Sequence, residues 1–207
     1  MTIFLIRHGE TEYNKKGVLM GELDIPLNDE GKRQAIKIAE RLASIKVSHI
    51  YSSDRSRALQ TAEIISDKLK IPVIESKDLQ EHLLGKLEGR KWNPEWLKDG
   101  FEGFEKVLLR EGGESVIAFE DRVWKCFNEI IAQNDVNNNI VIISHGAAIK
   151  IIFKNILQSS LKALLRIRQD NGCINIINVK NTGKKPEFEI QTINDCNHLE
   201  ENIKDKT

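Results

Sequence analysis

Two stretches of this chain end an apolar run in a histidine followed at once by glycine: FLIRHG at residues 4–9 and IVIISHG at residues 140–146. Arg7 stands directly before His8, and a third stretch, SSDRSRALQTA at 52–62, contributes Arg57. A fourth, LQEHLLGKLEG at 79–89, contributes Glu81 and Glu88 as candidate acids. Guanidinium forks match phosphoryl oxygens bidentately. A phosphoryl group in flight spreads its charge over three equatorial oxygens and needs cations aimed there, while a neutral imidazole is a competent nucleophile. One strand-end histidine would be an ordinary hydrogen-bonded residue. Two at equivalent positions, each with a glycine that lets backbone approach a ligand, point with the arginines and an acid to phosphoryl chemistry. Arg55 reads as a solvated helix arginine, whereas Arg57 lies beside the inward-facing Ala58 and Ala62.

The elements that must position these groups follow from apolar periodicity. Residues 3–6 read as a short buried strand, and 27–42 as a helix capped by Asn28 with Ala35, Ile38, Ala39 and Leu42 on one face. VSHIYSS at 47–53 is a second strand, followed by a helix opened by Ser53 or Asp54 that carries Ala58, Leu59, Ala62 and Ile65. IPVIES at 71–76 is a third strand. Residues 85–114, rich in glycine, tryptophan and charge, read as a lid-like excursion. A helix over 115–131 precedes the uninterrupted run 140–144, which suits a central strand covered on both faces. A helix over 145–157 and strands at 172–179 and 188–194, the last near a sheet edge, complete a single domain over 1–199; 200–207 reads as a disordered tail. Alternating strands and helices predict an α/β three-layer sandwich, with a mostly parallel central sheet and helices on both faces. Ligands then gather at the carboxyl ends of its strands, where the four chemical stretches fall.

With 207 residues the chain can bury one sizeable core. Its 31 Lys and Arg balance 31 Asp and Glu, so no global basic field exists to recruit nucleic acid or a membrane surface. Cys126, Cys173 and Cys196 are odd in number and lack metal-ligand spacing, which fits a reduced, cytoplasmic setting. No apolar window is long enough for a membrane span. There is no GxxxxGK[ST] loop, no GxGxxG after the first strand and no HExxH or HxH pair. Neither a nucleotide P-loop nor a metal site is expected.

These motifs, in this order, resemble those of the histidine phosphatase superfamily, which includes cofactor-dependent phosphoglycerate mutases and small-molecule phosphatases. LIRHGETEYN resembles the signature around the phosphorylated histidine, SSDRSRALQTA the second-arginine motif, LQEHLLGKLEG the acid motif and ISHGAAI the second-histidine motif. GELDIPLNDEGKRQA and GGES resemble segments leading into helices, so nearly the whole chain is covered. The resemblance implies a phosphoglycerate mutase-like fold and a phosphohistidine on His8. Arg7, Arg57 and His145 would hold the phosphoryl oxygens, and Asn14 would donate a further hydrogen bond. Glu81 would protonate the leaving oxygen and then activate water. Met20, Gly21, Gly146 and Ala147 would complete the substrate site. On this reading cationic neighbours keep His8 unprotonated, whereas His145 serves best as a cation once dianionic phosphate is bound, so the two rings would be pushed apart in pKa.

The expected activity is a metal-independent phosphomonoesterase of the histidine acid phosphatase type, needing no cofactor and acting on a small phosphorylated metabolite. Broad-specificity, fructose-bisphosphate and alpha-ribazole phosphatases resemble it in length and motifs. A phosphoglycerate mutase is the alternative, but family mutases carry paired arginines after the acid motif, and residues 89–115 have none. Arg90, Lys91 and Arg110 could bind an anionic substrate there, while Trp92, Trp96, Phe101 and Phe104 give the excursion an apolar character, most of it expected to pack on the core. A noncatalytic module of the same fold ranks below the enzymes because no expected catalytic residue is missing. A homodimer is an open option.

Overall fold

In a computed structural model, which describes residues 1–181 and 186–200, the first apolar run is strand β1 (Thr2–Arg7). Ile3, Phe4, Leu5 and Ile6 are all buried, as a strand covered on both faces requires. β1 pairs in parallel with β4 (Asn139–Ser144), β4 with β2 (His49–Ser53), and β2 with β3 (Val73–Ser76). β5 (Ile174–Asn181) and β6 (Glu187–Asp195) extend the other side antiparallel. The order is β3-β2-β4-β1-β5-β6, so β6 is an edge, as its alternating, weakly buried pattern requires. The mostly parallel sheet expected from sequence is present, with the antiparallel pair added to it.

There are seven α-helices among the described residues, α1 (Glu12–Lys16), α2 (Asp29–Leu42), α3 (Ser56–Leu69), α4 (Gly100–Arg110), α5 (Val116–Ala132), α6 (Gly146–Ile156) and α7 (Leu161–Leu164), of which α2, α3, α5 and α6 pack on the sheet. Alternate strand residues feed two cores. Ile3 and Leu5 meet Phe119 and Phe127 of α5 and Ile149 and Phe153 of α6. Phe4 and Ile6 meet Ile38 and Leu42 of α2 and Ala58 and Ile65 of α3. Each fully buried side chain of this size contributes roughly 1.5–3 kcal/mol, and the two cores fix the three layers.

Asn28 caps α2, its side chain accepting from Gly31 N at 2.8 Å, and Ser115 caps α5 from Ala118 N at 3.1 Å. α3 departs from expectation. Ser53 still belongs to β2, and the helix opens at Ser56. Its first turn is capped by a distant residue: Asp24 accepts from Ser56 N at 2.7 Å and Ser56 Oγ at 2.6 Å. The excursion over 85–114 contains α4 and a small cluster of its own, in which Leu87, Phe104 and Leu108 are buried. No helix among the described residues is long and apolar enough to cross a membrane. Of the tail expected over 200–207, residues 201–207 lie outside the described residues.

Candidate active site

The parallel register sets Arg7 of β1 opposite Ser144 of β4, so the next residue on each strand is a histidine. His8 N donates to the Ser144 carbonyl at 3.1 Å and ties the two strand ends together. The His8 and His145 rings then meet edge to face, 5.1 Å between centroids. His8 lines a cavity of about 520 Å³ whose wall also includes Arg7, Asn14, Arg57, Glu81 and Lys150.

Hydrogen bonds fix the tautomers. His8 Nδ1 is 2.7 Å from the Gly9 carbonyl, which can only accept. Nδ1 therefore carries the ring proton and Nε2 keeps its lone pair. Arg57 Nε donates to His145 Nδ1 at 3.2 Å, and a guanidinium cannot accept. The His145 proton is consequently on Nε2, 2.8 Å from Ser53 Oγ. Both imidazoles are neutral. Burial first, and then Arg57, hold each pKa well below the usual histidine value. The same cations, Arg57 and Arg7, press on both rings. His145 is fully buried with both nitrogens engaged by Arg57 and Ser53, so in this structure it orients Arg57.

Arg57 is fully buried on the first turn of α3. It donates to the carbonyls of Leu23 and Gly21, each at 2.8 Å, and burial brings its pKa down to about 10. Arg7 Nη1 donates to the Gln169 carbonyl at 2.6 Å, while its buried Nε has no partner among the described residues. Burial also lowers the pKa of Arg7, with Glu81 opposing that shift. Asn14 Oδ1 accepts from Thr11 N, Thr11 Oγ1 and Asn171 Nδ2 at 3.1, 3.0 and 3.1 Å. That assigns the amide orientation and reserves Nδ2 as a donor.

Glu81 follows the turn after β3. Its Oε2 accepts from Ala147 N in the first turn of α6 at 3.1 Å, and Oε1 accepts from His82 N at 3.0 Å. Arg122 of α5 holds the same segment by donating to the Asp78 and Gln80 carbonyls at 3.0 and 3.2 Å while pairing with Glu114 at 2.9 Å. Glu88, the other candidate acid, is committed elsewhere: it accepts from Glu22 N, Leu23 N and Leu84 N at 3.0–3.1 Å and braces the loop around Gly21.

Met20, Gly21 and Ala147 line the cavity as expected, whereas Gly146 lies beside the Arg7 guanidinium. Gly9 has a different role from the one its position suggests. A Cβ there would lie 2.4 Å from the Gly31 carbonyl oxygen, so the glycine admits the start of α2 rather than a ligand. Arg90, Lys91 and Arg110 do not line the cavity, and Arg55 pairs with Glu22 at 3.1 Å and Gln80 at 3.2 Å rather than being solvated.

A model of the histidine phosphatase superfamily (branch 1) matches residues 3–195. The chain belongs to this superfamily. Among its relatives, phosphoglycerate mutase-like protein 4 of Arabidopsis thaliana is 34% identical, over 96% of this chain and 87% of that protein. The metal-independent phosphoserine phosphatase of the same plant is 31% identical, over 95% and 82%. A phosphoserine phosphatase mutant from Entamoeba histolytica, solved in complex with phosphoserine, superposes with a TM-score of 0.82 at 26% identity, over 96% and 98% of the two chains.

Two features of this superfamily member were missed from sequence. Lys150, four residues after Gly146 and hence on the same face of α6, reaches the cavity wall, and burial lowers its pKa. That spacing was a usable signal. The turn before β5 had none: Asn171 Nδ2 donates to the His8 and Gly9 carbonyls at 3.2 and 3.3 Å, and Gly172 N to the Arg7 and His8 carbonyls at 3.1 Å.

Proposed function

We propose that this protein is a metal-independent phosphomonoester phosphatase working through a phosphohistidine on His8. The observation that carries the reading is the His8 tautomer: Nδ1–H is spent on the Gly9 carbonyl, so the unprotonated Nε2 is the atom available to phosphorus. Arg7 and Arg57 supply positive charge in the same cavity, and the unpartnered Arg7 Nε, which costs roughly 1–3 kcal/mol in a buried donor, would be satisfied by a phosphoryl oxygen. The Asn14 amino group adds a further donor.

In the first step Nε2 attacks phosphorus, the bond from phosphorus to the ester oxygen breaks, and protonated Glu81 gives its proton to the departing alkoxide. In the second, the Glu81 carboxylate takes a proton from water as that oxygen attacks phosphorus; the nitrogen–phosphorus bond breaks, freeing inorganic phosphate, His8 and protonated Glu81. Protons and charge return to their starting places. The depressed His8 pKa supports an acid phosphatase type, because the nucleophile stays unprotonated below neutral pH. Phosphoglycerate mutation is the second reading, favoured by the 34% identical mutase-like relative. Against it, the basic residues of the excursion lie off the cavity wall.

The test is hydrolysis of para-nitrophenyl phosphate in excess chelator, with acid-labile phosphoprotein trapped during turnover. His8→Ala is expected to lose at least about a thousandfold in rate and all trapped label. Equal release by both proteins would remove His8 from the mechanism. Supplying 3-phosphoglycerate with its bisphosphate primer in the same assay separates the two readings, since isomerisation outpacing phosphate release would favour the mutase.

A further inference from the structure

We infer that the leaving group this site accepts is an apolar, ring-bearing alcohol, which makes arylalkyl phosphomonoesters its substrate class; the inference rests on the phosphatase reading above. The cavity has two kinds of lining. Its polar lining includes Arg7, His8, Asn14, Arg57 and Glu81, and most of the remaining lining is apolar. Leu84 and, from the excursion, Trp92, Phe101 and Phe104 form part of that apolar lining. Ile151 of α6, Leu161 of α7 and Leu165 just beyond it form another part.

Two of these wall residues are left wet. Trp92 is 42% and Leu165 59% exposed, although both line the cavity, so apolar surface of the cavity remains uncovered. The Trp92 ring is nonetheless held in place, edge-on to Trp96 at 5.6 Å and tilted on Phe104 at 5.8 Å. A rigid aromatic wall of this kind binds a ring at little entropic cost.

Among the described residues, the excursion contributes no charged side chain to the lining. Arg90 and Arg110 both turn toward Glu111, at 4.0 and 3.5 Å, on the exposed side of the excursion. Lys150 is the one further cation on the lining among the described residues, one turn along α6 from Gly146, which lies beside the Arg7 guanidinium. A carboxylate or ammonium at the far end, as in phosphoserine, would give up water there without gaining a partner. At about 520 Å³ the cavity has room for a ring in addition to the phosphoryl group.

The test holds leaving-group chemistry constant by using esters of primary alcohols: ethyl phosphate, O-phosphoserine and 2-phenylethyl phosphate. The phenylethyl ester is expected to have a kcat/KM at least about tenfold above either of the others. Trp92→Ala should reduce the phenylethyl-to-ethyl ratio by roughly three- to tenfold. Ethyl phosphate or phosphoserine turned over as efficiently as the phenylethyl ester would overturn the inference. If no ester is hydrolysed, the phosphatase reading fails separately, and the walls are still testable by tryptophan fluorescence titration with 2-phenylethylphosphonate and ethylphosphonate. Tighter binding of the phenyl compound by about tenfold would sustain the apolar class, and equal binding would refute it.

Discussion

What separates His8 from His145 is the partner each Nδ1 meets. A carbonyl draws the His8 proton to Nδ1 and exposes Nε2, whereas a guanidinium makes His145 Nδ1 an acceptor. The choice between Glu81 and Glu88 is equally local: both are held by backbone amides, but Glu81 lines the cavity whereas Glu88 is spent on the loop around Gly21. If Glu81 delivers the proton to the leaving oxygen, Glu81→Gln should lower kcat for alkyl phosphates by roughly 10²–10⁴-fold and for para-nitrophenyl phosphate far less, since nitrophenolate leaves unaided. Comparable losses on both substrates would argue for a structural role instead.

Among the elements, the contact between the β1 strand end and the start of α2 decides where His8 sits. Gly9 and Gly31 meet backbone to backbone; a Cβ on Gly31 would fall 2.1 Å from the Glu10 carbonyl oxygen. Since the obstacle is main chain, it cannot turn away as a side chain would. Gly31→Ala is expected to destabilise the fold by about 1–3 kcal/mol, with a fall in Tm of roughly 2–4 °C for each kcal/mol. An unchanged Tm in a calorimetric scan would mean that α2 can shift without cost. The apolar face of α2 was readable from its spacing and its cap from Asn28, but this contact joins residues far apart in sequence and had no local signature.

For the molecule as a whole, burying neutral histidines links stability to acidity. The folded-state pKa values of His8 and His145 lie well below the ordinary 6.5. As pH falls through that ordinary value, the unfolded chain takes up protons that the folded protein refuses. The stability is therefore complete above about pH 6.5 and declines below it, by up to ~1.4 kcal/mol per pH unit for each group. His82 and His198, also lowered by burial, act in the same direction. The urea midpoint should consequently drop between pH 7 and pH 5, and His8→Asn should make that drop shallower. A midpoint independent of pH over this interval would contradict neutral burial.

Apolar periodicity and the chemistry of Arg7, His8, Arg57, Glu81 and His145 were sufficient by themselves to determine the α/β layering and the phosphoryl character of the site, because both depend on residue type and local spacing. Three matters were decided only in three dimensions. The ring tautomers, the commitment of Glu88 to loop bracing and the apolar walls around Trp92 and Leu165 each depend on which distant groups meet. Hydrogen-bond direction and the desolvation of a cavity are properties of contacts, and contacts between residues remote in the chain exist only after the two cores have closed on the sheet.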